Sequence, residues 1–332
     1  MKKLLITALM AVALYTGVQA QQDAAYSMYM FNGLFVNPAY AGSHEVISLM
    51  GIYRHQWVGI EGAPRTANLS FHMPFRRDQY AIGMTISNDK LGLSNNFSVT
   101  PAFAYRLRLP HENRLCFGVQ ASFNYFYQNG SKANPTDAAD QTAFDGSSLF
   151  VPNVGAGIYA YGKRYFIGFS VPHLMPSTLR GKTNVTKYND AIARIYNYYV
   201  FTAGYVFGID PAIVKFRPTI LLKYQKGLPK NIPQIDLSLA LLFVDRLWVG
   251  VSARTQGDAY NIDGSKKIPF GVSNVIAFAQ FKITPQLQVG YAYDGVIGDL
   301  HHFTSGTHEI MIGYDFWYDK KRFVTPRYVK YF

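Results

Sequence analysis

The sequence contains little cysteine and little charge, and each scarcity excludes a class of protein. Its 332 residues include a single cysteine, Cys116, so no disulfide can form within the chain and no cluster of cysteine ligands can hold a metal. Charged residues make up 16% of the chain, below the roughly 25% of an average soluble protein. After residue 20 there is no run of about 18 apolar residues, so we expect no transmembrane helix.

Aromatic residues and glycine are the abundant types. Aromatic residues form 16% of the chain, with 25 Tyr, 24 Phe and 3 Trp, and there are 28 Gly residues. Because aromatic side chains pack well on a pleated sheet, this composition favours β-structure and argues against disorder and helical bundles. The formal net charge of +12 is compatible with nucleic acid, a membrane surface or an acidic partner.

Residues 1–20 have the three parts of a secretory signal peptide. Lys2 and Lys3 give a basic start, an apolar run follows to Val18, and Ala20 is a small residue at the expected cleavage position. Since export removes the chain from nucleic acid, we expect no nucleic-acid partner despite the positive charge. No cysteine stands at the cleavage position, so we expect no lipoprotein anchor.

Residues 115–127 carry the clearest secondary-structure signal. Apolar and aromatic residues from Leu115 to Tyr127 occupy every second position, and small or polar residues such as Gly118 and Ser122 lie between most of them. A period of two predicts a strand, and its length is unusual for a soluble strand but suits a tilted strand across a bilayer. We expect the aromatic face to meet lipid and the polar face to point inward.

The same alternation recurs in about fourteen segments. They are 46–55, 65–75, 79–88, 95–108, 113–127, 149–161, 164–172, 195–207, 215–225, 232–244, 246–256, 268–281, 286–294 and 307–316. Tight turns alternate with longer connections, which predicts an all-β, antiparallel transmembrane β-barrel over residues 46–316, because only a closed barrel satisfies every strand edge in lipid. Inward Asp and Glu residues suit a polar lumen with charged partners and water. A large soluble β-sandwich or propeller is the alternative, but it explains neither the strand lengths nor the scarcity of charge.

Residues 21–45 precede the first strand and lack its alternation. Their apolar residues recur at helical spacing, which predicts a short helix that ends at Asn37, because the residue before a proline avoids helical geometry. We expect this helix to be a plug or lid at one barrel mouth, with a partner-binding element as the alternative. The residues predicted to pack there are Met30, Phe31 and Leu34.

Residues 317–332 form a basic, aromatic tail beyond the last predicted strand. The tail is interpreted as solvated, as docked in the lumen against inward carboxylates, or as a contact for an acidic partner. Its candidate partner-binding cations are Lys320, Lys321, Arg322, Arg327 and Lys330. Trp57, after the first strand, is a further candidate, either as a binding hot spot or as an aromatic anchor at the membrane interface.

No constellation of catalytic or metal-binding residues is recognisable in the sequence. His308 and Glu309 lack a second histidine four residues on and lie in a predicted strand, which excludes a zincin helix. Gly155 and Gly157 lack the third glycine and the following helix of a dinucleotide site. We therefore expect no enzymatic activity, no cofactor and no metal; a hydrolase assembled from separate strands is the alternative.

Several blocks of the chain, in order along nearly its whole length, resemble the PorP/SprF family. They are Tyr29–Asn32, Asn37–Gly42, Tyr53–Pro64, Asn88–Gly92, Pro152–Tyr159, Tyr165–Pro172, His308–Tyr314 and Pro326–Tyr328. The resemblance implies an outer-membrane component of the type IX secretion system of Bacteroidota, with a role in secretion or surface attachment of large proteins such as gliding adhesins. The implied partners are outer-membrane lipids, periplasmic ring lipoproteins and an exported surface protein. Residues 329–332 extend past the end of many members, which leaves the subfamily open.

Two functions are consistent with these observations. The first is a non-enzymatic barrel that docks secretion-ring partners or an exported surface protein through its loops and ends. The second is a porin or a hydrophobic-solute channel. Conductance discriminates between the two, because a plugged docking barrel should pass little current and a porin should pass much.

Overall fold

The computed structural model is a closed antiparallel β-barrel. It describes residues 25–75, 78–128, 147–179, 193–195, 197–210, 213–225, 233–255, 272–297 and 299–316. The strands are β1 (Ile47–His55), β2 (Arg65–Phe75), β3 (Tyr80–Leu91), β4 (Ser94–Arg108), β5 (Arg114–Gln128), β6 (Ser147–Tyr161), β7 (Tyr165–Val171), β8 (Ser177–Leu179), β9 (Ala193–Ile195), β10 (Tyr198–Tyr205), β11 (Phe207–Asp210), β12 (Val214–Gln225), β13 (Gln234–Phe243), β14 (Leu247–Thr255), β15 (Val272–Lys282), β16 (Leu287–Val296) and β17 (Thr307–Phe316).

The ring is made by neighbours in the chain and closes between its first and last strands. β1 pairs with β17 in an antiparallel register that runs from Ile47 opposite Phe316 to His55 opposite His308. β7 pairs with β10, and β10 pairs with β12, so the short hairpin β8–β9 stays outside the ring. β10 and β11 act as one strand interrupted at Val206, so the barrel has fourteen strands and the predicted fold class is confirmed.

The two faces of the strands are as the alternation predicts. In β5 the side chains of Phe117, Phe123 and Tyr125 are exposed on the outer face, whereas Cys116 and Asn124 are buried in the lumen. The outer face of the whole barrel carries apolar side chains of this kind. Examples on other strands are Leu69, Phe103, Phe169, Leu239, Val251 and Ile310.

The two ends of the barrel differ in their connections. At one end, the short-turn end, β4 joins β5 through residues 109–113, and β13 joins β14 through residues 244–246. At the other, the long-loop end, β1 joins β2 through residues 56–64 and β16 joins β17 through residues 297–306. β1 therefore begins at the short-turn end and β17 finishes there.

The amino-terminal helical segment is three short 3-10 turns instead of one continuous helix. The turns are Tyr29–Phe31, Gly33–Phe35 and Pro38–Tyr40. Asn32 and Asn37 explain the breaks, because each side chain accepts a hydrogen bond from the backbone N–H two residues on and so starts a new turn. Nowhere in the described residues is there a helix with the length and hydropathy of a membrane span.

Several predicted strand limits shift in the structure. The prediction 195–207 was wrong in continuity, since the strand breaks at Val206. The start of the predicted segment 268–281 lies outside the described residues, which resume with β15 at Val272. β3 and β16 each extend beyond the predicted end, to Leu91 and to Val296. The predicted signal peptide and the predicted tail lie outside the described residues.

Candidate functional site: the filled barrel lumen

The amino-terminal segment occupies the barrel lumen along its height. We call residues 25–46 the lumen segment. Its first residue, Ala25, has its carbonyl 3.5 Å from the Arg254 guanidinium near the long-loop end. Further along, Asn37 donates to the carbonyl of Ile158 on β6 at 3.0 Å, and His44 meets Asp315 near the short-turn end at 3.3 Å. The segment therefore crosses the lumen before the chain turns into β1.

The three residues predicted to plug the mouth lie inside the barrel. Met30, Phe31 and Leu34 are between 4% and 8% exposed. The Phe31 ring packs edge-on against the ring of Phe278 on β15, with 5.9 Å between centroids. Leu34 faces Gly83 on β3, on another wall of the lumen. The apolar side chains of the segment are thus divided between different walls of the lumen, and they do not form one stripe.

A cluster of charged side chains holds the start of the lumen segment. Glu309 on β17 accepts hydrogen bonds from the backbone N–H groups of Ser27 and Met28, both at 2.8 Å. Arg54 on β1 donates to Glu309 at 3.1 Å and to Asp294 on β16 at 3.0 Å. Bonds between ionised groups, or from N–H groups to a carboxylate, are stronger than neutral ones. The segment is therefore fixed to the two strands that close the barrel.

A second arginine extends this cluster across the lumen. Arg254 on β14 donates to Asp236 on β13 at 2.8 Å and to the carbonyl of Tyr26 at 3.2 Å. It also lies 3.7 Å from Asp294. The ionised groups of the cluster, all almost fully buried, are Arg54, Arg254, Asp236, Asp294 and Glu309. Three carboxylates face two guanidinium groups. Further donors are the backbone N–H groups of Ser27 and Met28 to Glu309, the Asn274 amide to Asp294 and the Gln234 amide to Asp236.

Glycines on the inner wall allow the middle of the segment to pack backbone against backbone. A Cβ on Gly118 of β5 would lie 2.5 Å from the Pro38 carbonyl carbon and 2.5 Å from the Ala39 Cα. A Cβ on Gly157 of β6 would overlap the side-chain oxygen of Asn37. Gly118 and Gly157 lack a side chain at points where the lumen segment approaches the wall closely, so the wall is complementary in shape to the segment.

Aromatic and histidine side chains surround the segment near the short-turn end. The Tyr40 ring makes edge contacts with His72 and Tyr159, at centroid distances of 5.7 and 5.5 Å. The Tyr40 hydroxyl lies 3.0 Å from Nε2 of His44, whose other ring nitrogen meets Asp315. Tyr40 belongs to the lumen segment and not to a strand, and it is buried among these side chains as part of the core.

Further arginines complete the lumen contacts, and sequence reasoning missed them. The guanidinium of Arg217 on β12 lies over the Trp248 ring at 4.0 Å and over the Phe31 ring at 5.0 Å. Arg106 on β4 donates to the hydroxyl of Tyr161 at 2.5 Å. Along each strand every second residue points inward, and both arginines occupy such positions. The alternation of inward and outward residues was therefore the signal that could have found them.

Trp57, the other described candidate, lies outside the lumen in the loop that follows β1. It is half-buried and has a left-handed backbone conformation with φ of 50°. Its backbone N–H donates to the Thr307 hydroxyl at 3.2 Å, and its neighbour Val58 exchanges backbone hydrogen bonds with Ser305 and Gly306. The loop is therefore tied to the end of the β16–β17 connection. Trp57 does not meet the lumen residues, and Lys320, Lys321, Arg322, Arg327 and Lys330 lie outside the described residues.

The described part of the chain brings together no group of three or more His, Cys, Asp or Glu side chains that could hold a metal ion. The buried carboxylates of the lumen are instead held by arginines and by the lumen segment. The arrangement binds the chain's own amino-terminal residues.

A closed fourteen-strand barrel with an apolar outer face and a polar inner face defines an outer-membrane β-barrel protein. The model of the PorP/SprF family, described as type IX secretion system membrane protein, matches residues 18–314, and the chain belongs to this family. It is thus an outer-membrane component of the type IX secretion system.

Solved structures with similar folds are outer-membrane proteins at low sequence identity. The chain is similar to Acinetobacter baumannii outer membrane protein Omp33, with 12% identity, a TM-score of 0.45, and coverage of 82% of this chain and 98% of that one. It is also similar to the CymD monoaromatic hydrocarbon channel, with 12% identity, a TM-score of 0.49, and coverage of 86% of this chain and 93% of that one. A Pseudomonas aeruginosa FadL homologue has 10% identity and a TM-score of 0.44, with coverage of 87% of this chain and 94% of that one. No curated protein matches the chain.

Proposed function

We propose that this protein is a non-enzymatic docking barrel, which binds secretion-ring partners or a large exported surface protein, such as a gliding adhesin, through its ends. The observation that supports docking over transport is the filled lumen. Residues 25–46 cross the lumen and are held at one end by buried hydrogen bonds to Glu309 and at the other by a partly buried contact between His44 and Asp315. Since the interior is occupied by the chain itself, the loops and ends of the barrel are the surfaces left for partners.

A deletion strain tests this proposal. We expect loss of the protein to abolish secretion or surface display of at least one exported protein, and a plasmid copy to restore it. Co-purification from detergent-solubilised outer membranes then identifies the partner. Unchanged secretion and surface display of every exported protein in the deletion strain would overturn the proposal.

The basic tail is the proposed contact for an acidic partner. Clustered exposed charges raise the rate of encounter with an oppositely charged surface, and salt screens that attraction. We expect recovery of secretion-ring components to fall at low salt when the five cations are replaced by Gln, and to fall less at high salt. The replaced positions are Lys320, Lys321, Arg322, Arg327 and Lys330. If the variant recovered as much of the secretion-ring components as the wild-type protein at both salt concentrations, the tail would have no part in the interaction.

A porin or a channel for hydrophobic solutes is the second candidate, and electrical conductance separates it from docking. A barrel filled by its own chain passes little current in a planar bilayer, whereas a porin passes much. A large, stable conductance of the purified full-length protein would favour the channel. We expect the full-length protein to pass little current.

A further inference from the structure

We infer that the lumen segment enters the barrel from the cell-surface end, so that its amino-terminal side is accessible outside the cell. The first observation is the position of the residues that hold it. Arg254 is one residue from the end of β14, and Arg54 is one residue from the end of β1. Both strands finish at the long-loop end. These two side chains contact Ala25, Tyr26 and Ser27.

The opposite end of the segment is fixed at the other mouth. His44 meets Asp315, which is one residue from the end of β17, and β17 finishes at the short-turn end. Glu45 lies 3.8 Å from the guanidinium of Arg114, the first residue of β5. The chain direction is therefore from the long-loop mouth at Ala25 to the short-turn mouth at Glu45.

The length of the segment is sufficient for a complete crossing. The stretch from Ser27 to His44 contains three 3-10 turns, with Asn32 and the pair Val36 and Asn37 between them. In continuous 3-10 geometry, at about 2.0 Å per residue, its contour is at most on the order of 34 Å. The strand positions that hold its two ends, Glu309 and Asp315, are six residues apart on β17, which is about 20 Å. The contour is therefore long enough to join the contacts near the two mouths.

The two mouths are assigned to compartments by their connections. In outer-membrane barrels the short turns face the periplasm and the longer loops face the cell exterior. The long-loop mouth, where Ala25 lies, is therefore the exterior one. Ala25 is half-buried there, and the tied loop that carries Trp57 lies at the same end of the barrel. The start of the lumen segment is accordingly a cell-surface element, available to an extracellular partner, and this inference does not depend on the docking proposal.

Epitope insertion tests the inference in the full-length protein in living cells. The test variant carries an epitope between Ala24 and Ala25. The matched controls carry it between Gly59 and Ile60, at the long-loop end, and between His111 and Glu112, in a short turn. We expect antibody to bind the first two on intact cells and the third only after the outer membrane is permeabilised. Binding at Ala25 that requires permeabilisation, or a reversed pattern of the two controls, would overturn the inference.

Cysteine labelling gives an independent measurement with a smaller change. Cys116, the single native cysteine, is fully buried, so we expect little maleimide labelling of the protein without an introduced cysteine. Ala25→Cys is compared with Ser305→Cys at the long-loop end and Lys163→Cys in a short turn, each treated with a maleimide coupled to a polymer too large for porins. We expect Ala25→Cys and Ser305→Cys to react on intact cells. If Ala25→Cys, like Lys163→Cys, reacted only after the outer membrane was permeabilised, the inference would be contradicted.

Discussion

Leu239 and Leu109 are outward-facing leucines with nearly equal exposure at different heights of the barrel. Leu239 is 42% exposed in the middle of β13, and Leu109 is 43% exposed at the start of a short turn. Replacing an outward residue by Arg costs about 2–4 kcal/mol at the membrane midplane and about 0–1 kcal/mol near the interface. We expect Leu239→Arg to show the larger loss of unfolding free energy in lipid vesicles, with Leu109→Arg as the control. Equal losses for the two variants would contradict the placement of β13 across the membrane.

At the scale of elements, the fit between β5 and the lumen segment depends on Gly118. A methyl group at this position collides with the backbone of Pro38 and Ala39, and neither neighbour is a flexible side chain that can move away. Overpacking of this kind costs about 1–3 kcal/mol. We expect Gly118→Ala to lower the unfolding free energy and to increase proteolysis within the lumen segment.

Gly51 on β1 provides the matched control for Gly118. A Cβ there meets its nearest neighbour, the Ile312 side chain, at 3.7 Å, which is ordinary van der Waals contact. We expect Gly51→Ala to leave both stability and proteolysis close to those of the wild-type protein. If the two variants behaved alike, close packing of the segment on β5 would be contradicted.

The strands and their faces could be predicted because each depends on neighbouring residues in the sequence. Alternation placed Leu239 outside and Asp236 inside before any pairing was known, and both positions are confirmed. The break at Val206 and the separate 3-10 turns were not predictable in this way, because the former depends on pairing with β12 and the latter on the Asn32 and Asn37 side chains.

The contacts of the lumen could be predicted only in part. Alternation along the strands placed Asp294 and Glu309 in the interior, where charged partners and water were expected to be available. It did not identify Arg54 as the cation, because that pairing joins residues 240 and 255 positions apart and depends on the register between β1 and β17. The helical spacing in residues 21–45 predicted a plug or lid at one mouth, but the path of residues 25–46 along the lumen depends on contacts with distant strands and followed from the structure alone.

At the scale of the whole molecule, the lumen segment is separable from the barrel wall. The strands satisfy their backbone hydrogen bonds with one another, so deletion of residues 23–36 should leave a closed barrel. The deletion removes Met30, Phe31 and Leu34 and exposes the arginine–carboxylate cluster to water. We expect a folded protein with higher conductance in planar bilayers, or with altered secretion in cells.

The control for this deletion is the full-length protein purified in the same detergent, with folding checked by heat-modifiable migration on a gel. Unchanged conductance together with unchanged secretion would show that the segment has no part in the mechanism. A barrel that failed to fold would instead show that the segment is needed for assembly of the wall.

The position of Glu309 in the sequence, far from the backbone N–H groups that it binds, has a consequence for biogenesis. Ser27 is among the first described residues to be synthesised, and its acceptor Glu309 lies 282 positions later, on the final strand. Contacts so distant in sequence form late and slowly. The earliest part of the chain therefore has no completed binding place until the last strand is made and pairs with β1. A chain that terminates before β17 lacks both the acceptor and the closing pair, so the lumen segment is held in this way only after β17 has been synthesised.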